Sequence, residues 1–166
     1  MDRTKVLIVL PSLVGGGAER MAVLLLEHFD RERFQPLLAL LLDDRRDYAI
    51  PEDVPLFCLR GRRQRHFPQL VWRLAKAFNR EKPDVVLSII TYANLIAALA
   101  RKLAHNKPRL LLSEQNYASL NIGQTARSRL LGWAIPQLYP KVMGLSAFPG
   151  AWPMTWWLTL RFPVRK

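Results

Sequence analysis

The sequence is poor in the residues that build disulfides and metal centres. Cys58 is the only cysteine among the 166 residues, so no internal disulfide can form and no cysteine cluster can bind a metal. The three histidines, at positions 28, 66 and 105, are scattered without the spacing of metal ligands. We therefore expect no metal centre and no disulfide framework.

Long apolar runs are also missing. No stretch approaches the roughly 20 apolar residues that a membrane-spanning helix needs. The N-terminus imitates a signal peptide, with Arg3 and Lys5 before the run VLIVLPSLV, but Pro11 interrupts this run and a well-patterned helix follows. We predict a soluble, cytoplasmic protein, with peripheral association at the inner face of the membrane as an option.

Acidic residues are few. Thirteen Asp and Glu stand against 25 Lys and Arg, which gives a formal net charge of +12. Arg60, Arg62, Arg63 and Arg65 crowd into LRGRRQRH. This cluster fits either a solvated loop or a surface that binds anionic lipid headgroups. The four arginines are therefore membrane-facing candidates. The positive charge follows no helix or strand face and no nucleic-acid motif accompanies it, so no nucleic-acid partner is expected.

Short apolar runs alternate with helical patterns along the chain. Continuous hydrophobic runs of the kind buried on both faces predict strands, and apolar residues three and four apart predict helices. The predicted strands cover 5–10, 37–42, 55–59, 85–90, 109–113 and 141–145, and the predicted helices cover 18–29, 67–79, 93–103 and 126–139. This alternation indicates a Rossmann-like, doubly wound α/β fold, with a mostly parallel sheet and helices on both faces.

The same spacing predicts which helical side chains are buried. The predicted apolar stripes contain Met21, Leu24, Leu25 and Phe29 in the first helix, Leu70, Val71, Leu74 and Phe78 in the second, and Ile96, Leu99 and Leu103 in the third. Trp72 is predicted to be a core or partly buried residue of the second helix.

Three consecutive glycines, Gly15, Gly16 and Gly17, separate the first strand from the first helix. Glycines there cost backbone entropy, which suggests unusual dihedral angles or a close approach of a ligand to the main chain. The amides of Gly16, Gly17 and Ala18 can face a phosphate or another oxygen at the start of the helix. A flexible turn without a ligand is the alternative.

Other polar residues are predicted at the same edge of the sheet. Ligands of parallel sheets bind beyond the carboxyl ends of the strands, and Tyr92, Asn94, Glu114 and Asn116 follow two of these ends. Contact with a ligand and an ordinary structural role at the start of a helix are equally compatible with these residues.

The glycines match the dinucleotide fingerprint G-x-G-x-x-G only in part. Gly15 and Gly17 fit, but Arg20 stands in the third glycine position, where its side chain would crowd the packing of helix against strand. Asp43 or Asp44 could imitate the ribose-binding acid. A nucleotide-binding oxidoreductase or epimerase stays open as an alternative, as does a non-enzymatic basic module that binds membrane or nucleic acid.

Three segments together resemble the N-terminal domain of the family 4 retaining glycosyltransferases, whose two-domain architecture is called GT-B. They are KVLIVLPSLVGGGAERMAVLLLEHF, KPDVVLSIITYANLIAALA and LLLSEQN, and the similarity covers roughly residues 5–145. The resemblance implies half of a GT-B fold and sugar transfer from a nucleotide-sugar donor, a substrate rather than a cofactor, to a glycan or a lipid-linked acceptor.

The resemblance also implies roles for the residues at the sheet edge. Its N-terminal domain mainly binds the acceptor, so acceptor-side candidates are Tyr92, Asn94, Glu114 and Asn116. The loop of Gly15, Gly16, Gly17, Ala18 and Glu19 is expected to bind a donor phosphate or the acceptor, with Glu19 bonded to an acceptor hydroxyl or capping the loop.

Two departures from the family pattern bear on activity. Ile89 and Ile90 occupy the region in which many members carry a histidine, and the downstream pair of donor-binding glutamates has no counterpart. We therefore expect a truncated, acceptor-side domain over residues 1–146 that is inactive alone, because the transition state needs both walls of the cleft.

Residues 147–166, AFPGAWPMTWWLTLRFPVRK, form a separate irregular tail with three tryptophans and no acidic residue. A membrane-interface tail is one interpretation. We favour out-of-frame translation, because the codons from the last base of residue 147 to residue 157 permit V-S-R-G-V-A-D-D-L-V in another frame, which resembles the family's segment after its last N-domain strand. Such a tail should pack poorly. A gene whose alternative frame does not continue into a donor-binding domain would contradict this hypothesis.

Overall fold

In the part of the chain that the structure describes, the apolar segments form one parallel sheet with three helices. The computed structural model describes residues 2–42, 46–61, 66–114 and 145–147. In chain order the described elements are β1 (Thr4–Leu10), α1 (Gly17–His28), β2 (Phe34–Leu40), β3 (Leu56–Cys58), α2 (Phe67–Glu81), β4 (Val85–Ile89), α3 (Thr91–Leu103), β5 (Arg109–Glu114) and β6 (Leu145–Ala147). The predicted helix 126–139 lies outside the described residues, as do positions 141–144 of the last predicted strand and positions 148–166 of the tail.

The strand order is β3-β2-β1-β4-β5-β6, and every described pair is parallel. From the central strand β1 the chain winds outward through β2 to β3, crosses back to β4 beside β1, and winds outward again on the other side. This order is that of a doubly wound, dinucleotide-type α/β sheet, so the predicted Rossmann-like fold is confirmed.

Helices cover both faces of the sheet, as predicted. Alternate side chains of β1 point to opposite faces, so Leu7 and Val9 join the core beneath α2 and α3, whereas Ile8 and Leu10 join the core beneath α1. All four are buried, which accounts for the continuous hydrophobic run of this strand.

β2 begins three residues earlier than predicted and contains a proline. Pro36 lies inside Phe34–Leu40, where it pairs with Val6 of β1. The Leu38 amide donates to the Pro55 carbonyl on the β3 side at 3.0 Å. Alternation turns the nitrogen of Pro36 to that same side, before β3 has begun. The missing N–H therefore costs no ladder hydrogen bond among the described strands.

The buried stripes were predicted correctly for α2 alone. All four predicted side chains of α2 are buried, but Leu24 of α1 is 46% exposed and Leu103 of α3 is 61% exposed. α1 buries Ala22, Val23 and Leu26 instead, and α3 buries mainly alanines. α1 and α3 carry apolar residues on several sides, so spacing did not identify which side is buried. α2 has a distinct polar side, and its buried side could therefore be predicted.

Trp72 is not a core residue. Its side chain is 54% exposed on the outer side of α2. Sequence spacing places it beside the buried Val71, and one step along a helix turns a side chain by about 100°. The indole therefore lies at the border of the buried stripe, on its solvent side.

Candidate functional site at the carboxyl edge of the sheet

The chain leaves the central strands β1 and β4 toward opposite faces. Val9 pairs with Ser88, which brings the carboxyl ends of the two strands side by side. β1 continues into α1 on one face, and β4 continues into α3 on the other. A crevice opens at such a switch point, and ligands of open α/β sheets bind there. The predicted glycine loop follows β1 and the segment before Tyr92 follows β4, so both lie at this switch point.

Gly15 and Gly16 occupy positions that disfavour a side chain. Gly15 has φ +34°, a left-handed conformation that favours glycine. Gly16 is the N-cap of α1, and the first helical hydrogen bond runs from Arg20 N to Gly16 O at 3.0 Å. The amides of Gly17, Ala18 and Glu19 therefore precede the hydrogen-bond ladder of the helix. Apart from its chain neighbours and the backbone of α1, a Cβ on Gly17 would meet no atom within 4 Å, so the side-chain direction of Gly17 is open.

Two carboxylates flank the glycines. The Glu19 carboxylate folds back over Gly16, where a Cβ would overlap its Oε2 atom, and Glu19 holds the third helical position used in capping boxes. Asp47 Oδ2 lies 3.1 Å from the place of a Cβ on Gly15. The sequence argument named Glu19 but missed Asp47, whose one signal was its place shortly after the second strand.

The segment after β2 anchors the glycine loop. The buried Leu13 forms a parallel bridge with Arg46, and its carbonyl accepts a hydrogen bond from Asp47 N at 3.0 Å. The Tyr48 hydroxyl donates to the Gly16 carbonyl at 3.3 Å. These contacts join residues about 30 positions apart, and sequence reasoning missed them.

Ile90 is strained at the start of α3. It follows β4 directly, has φ 77° and ψ 136°, and is the N-cap of α3. Its amide donates to Ser113 O at 3.0 Å, and its carbonyl accepts from Asn94 N at 3.0 Å. A positive φ is rare for a β-branched side chain and stores strain of about 1–3 kcal/mol. This strain lies at the switch point between β1 and β4.

Asn94 and Tyr92 are built into the α3 packing. Asn94 is fully buried, and its Nδ2 donates to Ser113 O at 3.1 Å, which ties the first turn of α3 to β5. Tyr92 is half-buried, with its ring edge-on to Phe67 at a centroid distance of 6.2 Å. Contact of either residue with an acceptor stays a prediction.

The remaining candidates lie along the same edge or outside the described residues. Glu114 is the last residue of β5 and pairs with Ala147 of β6. Arg60 is exposed just after β3, and its carbonyl accepts a hydrogen bond from Arg73 Nη1 at 3.5 Å. Asn116, Arg62, Arg63 and Arg65 lie outside the described residues.

Ionisable groups of the described residues form no metal centre. Within 2–42, 46–61 and 66–114, no group of three or more histidine, cysteine or acidic side chains could hold a metal ion. The pKa of Asp53 is lowered because Arg31 donates hydrogen bonds to its carboxylate, and the pKa of Arg31 is raised by the same contact. Both residues precede strands, at the opposite, amino edge of the sheet.

None of the helices described in the structure is long and apolar enough to cross a membrane. Arg20 is exposed, so the crowding expected from this side chain in the third glycine position does not occur. Arg20 therefore does not decide between the dinucleotide-binding alternative and a sugar-transferase domain.

Comparison with known proteins decides between these alternatives. The family model for Glycosyltransferase Family 4 matches residues 15–142, from the glycine loop through α1 and α3 to beyond β5. A comparison with curated proteins gave no match. The family match includes both sides of the switch point and well over half of the sequence. The chain therefore belongs to glycosyltransferase family 4, and its Rossmann-like domain is half of a GT-B fold.

Proposed function

We propose that this domain binds the acceptor in sugar transfer from a nucleotide-sugar donor, at the crevice between β1 and β4. The observation that carries the proposal is the open space in front of Gly17 at this switch point, in a chain of family 4. The acceptor is a glycan or a lipid-linked sugar, and the enzyme works at the cytoplasmic side of a membrane.

The glycine loop suits a hydroxyl better than a phosphate. The amides of Gly17 and Ala18 offer donors at the positive end of α1, which would favour an anion. The carboxylates of Glu19 and Asp47 oppose this, since both lie against the same loop and repel a phosphate. A sugar hydroxyl accepts from an amide and donates to a carboxylate, so it satisfies both sets of groups.

Catalysis by the isolated chain is not expected. The described residues supply one wall of a crevice, and transition-state stabilisation in sugar transfer requires the donor to be held against the acceptor. We propose that this polypeptide binds acceptor sugars weakly and turns over no nucleotide sugar. Robust turnover of UDP-glucose or GDP-mannose by the purified chain would contradict this part of the proposal.

Ligand-dependent melting of the purified chain tests the binding site. We expect stabilisation by members of a panel of common mono- and disaccharides, because a ligand that binds only the folded state raises its stability, by about 2.7 kcal/mol at a hundredfold excess over Kd. NAD and an oligonucleotide serve as controls for the two alternative functions. Stabilisation by NAD alone, without any effect of a sugar, would refute the proposal.

Gly17→Leu locates the site. The new side chain enters open space beside the loop, so we expect the melting temperature of the unliganded wild type. The shift caused by sugar should be lost. Glu27→Leu is the matched control, because it adds a leucine at an exposed position of the same helix far from the loop. Equal sugar binding by the two variants would place the site elsewhere.

A further inference from the structure

The two faces of the domain differ in charge. Residues 66–113, which include α2 and α3, contain eight lysines and arginines but only two acidic residues, Glu81 and Asp84. Both acids are engaged, since Glu81 pairs with Arg80 at 2.5 Å and Asp84 accepts a hydrogen bond from the Lys5 amide at 2.8 Å. Residues 17–33, which include α1, contain four acids and three arginines. The α2–α3 side is therefore the basic side.

A groove of about 550 Å³ opens on this side, between α2 and the end of β3. Its lining consists of Leu59, Arg73, Lys76, Ala77, Asn79 and Arg80. The three cations recur at spacings of three and four residues, so they form one stripe along α2, and the expectation that the positive charge follows no helix face is wrong for this helix. This stripe gives the groove a positive potential along its length.

Two of these cations have no anionic partner in the described part of the chain. Arg73 Nη1 donates to the Leu59 carbonyl at 2.6 Å. Lys76 Nζ stands 3.7 Å from the centroid of the Trp72 ring. Neither residue lies within ion-pair distance of a described carboxylate. A carbonyl and an aromatic face leave both positive charges uncompensated, so the groove favours an anionic ligand.

The exposed Trp72 indicates which anion fits. A soluble phosphate would use the cations of the groove and gain nothing from the indole. At a lipid surface, an indole lies at the level of the headgroups while lysine and arginine meet the phosphates. Trp72 is 54% exposed and its ring touches the basic stripe through Lys76, which matches this second arrangement.

We propose that the outer face of α2 docks on an anionic bilayer, with phospholipid phosphates in the groove and Trp72 at headgroup level. The α1 face, where acids balance the arginines, then points away from the membrane. Docking through this face does not depend on sugar binding at the carboxyl edge, and it is measured without a donor or an acceptor. Failure of one proposal therefore leaves the other standing.

Vesicle flotation with the purified chain tests the docking. Wild type should bind vesicles that contain phosphatidylglycerol, bind phosphatidylcholine vesicles far less, and detach as salt rises. The double variant Arg73→Gln and Lys76→Gln should bind anionic vesicles about 30-fold more weakly, on the scale of surface cations near anionic lipids. The matched control, Arg3→Gln with Arg33→Gln, removes the same charge elsewhere and should bind like wild type.

A variant that gains binding tests the same surface and does not depend on correct folding of the double variant. Gln69 is exposed on the same side of α2, so Gln69→Lys should strengthen binding about fivefold. Equal loss in both double variants, or equal binding to neutral vesicles, would overturn the proposal. So would stabilisation by inorganic phosphate at matched ionic strength with no vesicle binding, since the groove would then hold a soluble phosphate.

Discussion

Replacing Ile90 by alanine and by glycine measures the strain at the switch point. Both changes remove the same side-chain contacts with the core beneath α1. Only glycine also removes the Cβ that makes φ 77° unfavourable. At an ordinary position glycine is less stable than alanine by about 0.5–1 kcal/mol, because it loses more backbone entropy on folding. Strain of about 1–3 kcal/mol in the alanine variant should reverse that order.

We therefore expect Ile90→Gly to exceed Ile90→Ala in free energy of unfolding by about 1 kcal/mol. The adjacent Ile89 provides the control, because it is buried in the regular strand β4. There the glycine variant should be the less stable one. Urea denaturation of the four variants, followed by circular dichroism, gives the comparison. If glycine were less stable than alanine at both positions, the strain assigned to Ile90 would be refuted.

Two further predictions concern burial and charge. Ile96→Ala should lower the free energy of unfolding by about 2–5 kcal/mol, because the Ile96 side chain is fully buried. Leu103→Ala should change it by less than about 0.5 kcal/mol, because Leu103 is exposed. Equal urea midpoints of the two variants would contradict this assignment of the buried face of α3. The lowered pKa of Asp53 stabilises the fold above the ordinary aspartate value of about 3.9, and this contribution is lost as the pH falls through the lower folded-state pKa. Wild type should therefore exceed Asp53→Asn in urea midpoint at pH 6, and this advantage should shrink as the pH falls below about 3.9. A difference that stays constant with pH would show that the contact with Arg31 is not responsible.

The sequence determined the elements and the edge on which the candidate site lies. Continuous apolar runs and the amphipathic α2 depend on local geometry, so their types and approximate bounds follow from spacing. The glycine run predicts a turn with a backbone conformation that other residues rarely adopt, and the positive φ of Gly15 agrees with that prediction. The family resemblance came from the same local segments.

Tertiary structure decided what surrounds the glycines. Tyr48 bonds to the Gly16 carbonyl across 32 positions, and Asp47 lies against Gly15. These contacts arise where the segments that follow β1 and β2 meet at the Leu13–Arg46 bridge. The burial of Asn94 and its hydrogen bond to the Ser113 carbonyl of β5 likewise depend on how closely α3 packs, which spacing does not show.

The exposed positions of Leu103 and Trp72 have the same origin. Periodicity says that a helix has an apolar side, but the neighbouring strands and helices decide which part of that side is covered. The mainly positive charge of the α2–α3 side likewise arises when residues from two helices come together on one face of the sheet. Local sequence thus determined which elements form, and the packing of distant elements determined which of their side chains lie in the core, at the candidate site or on the surface.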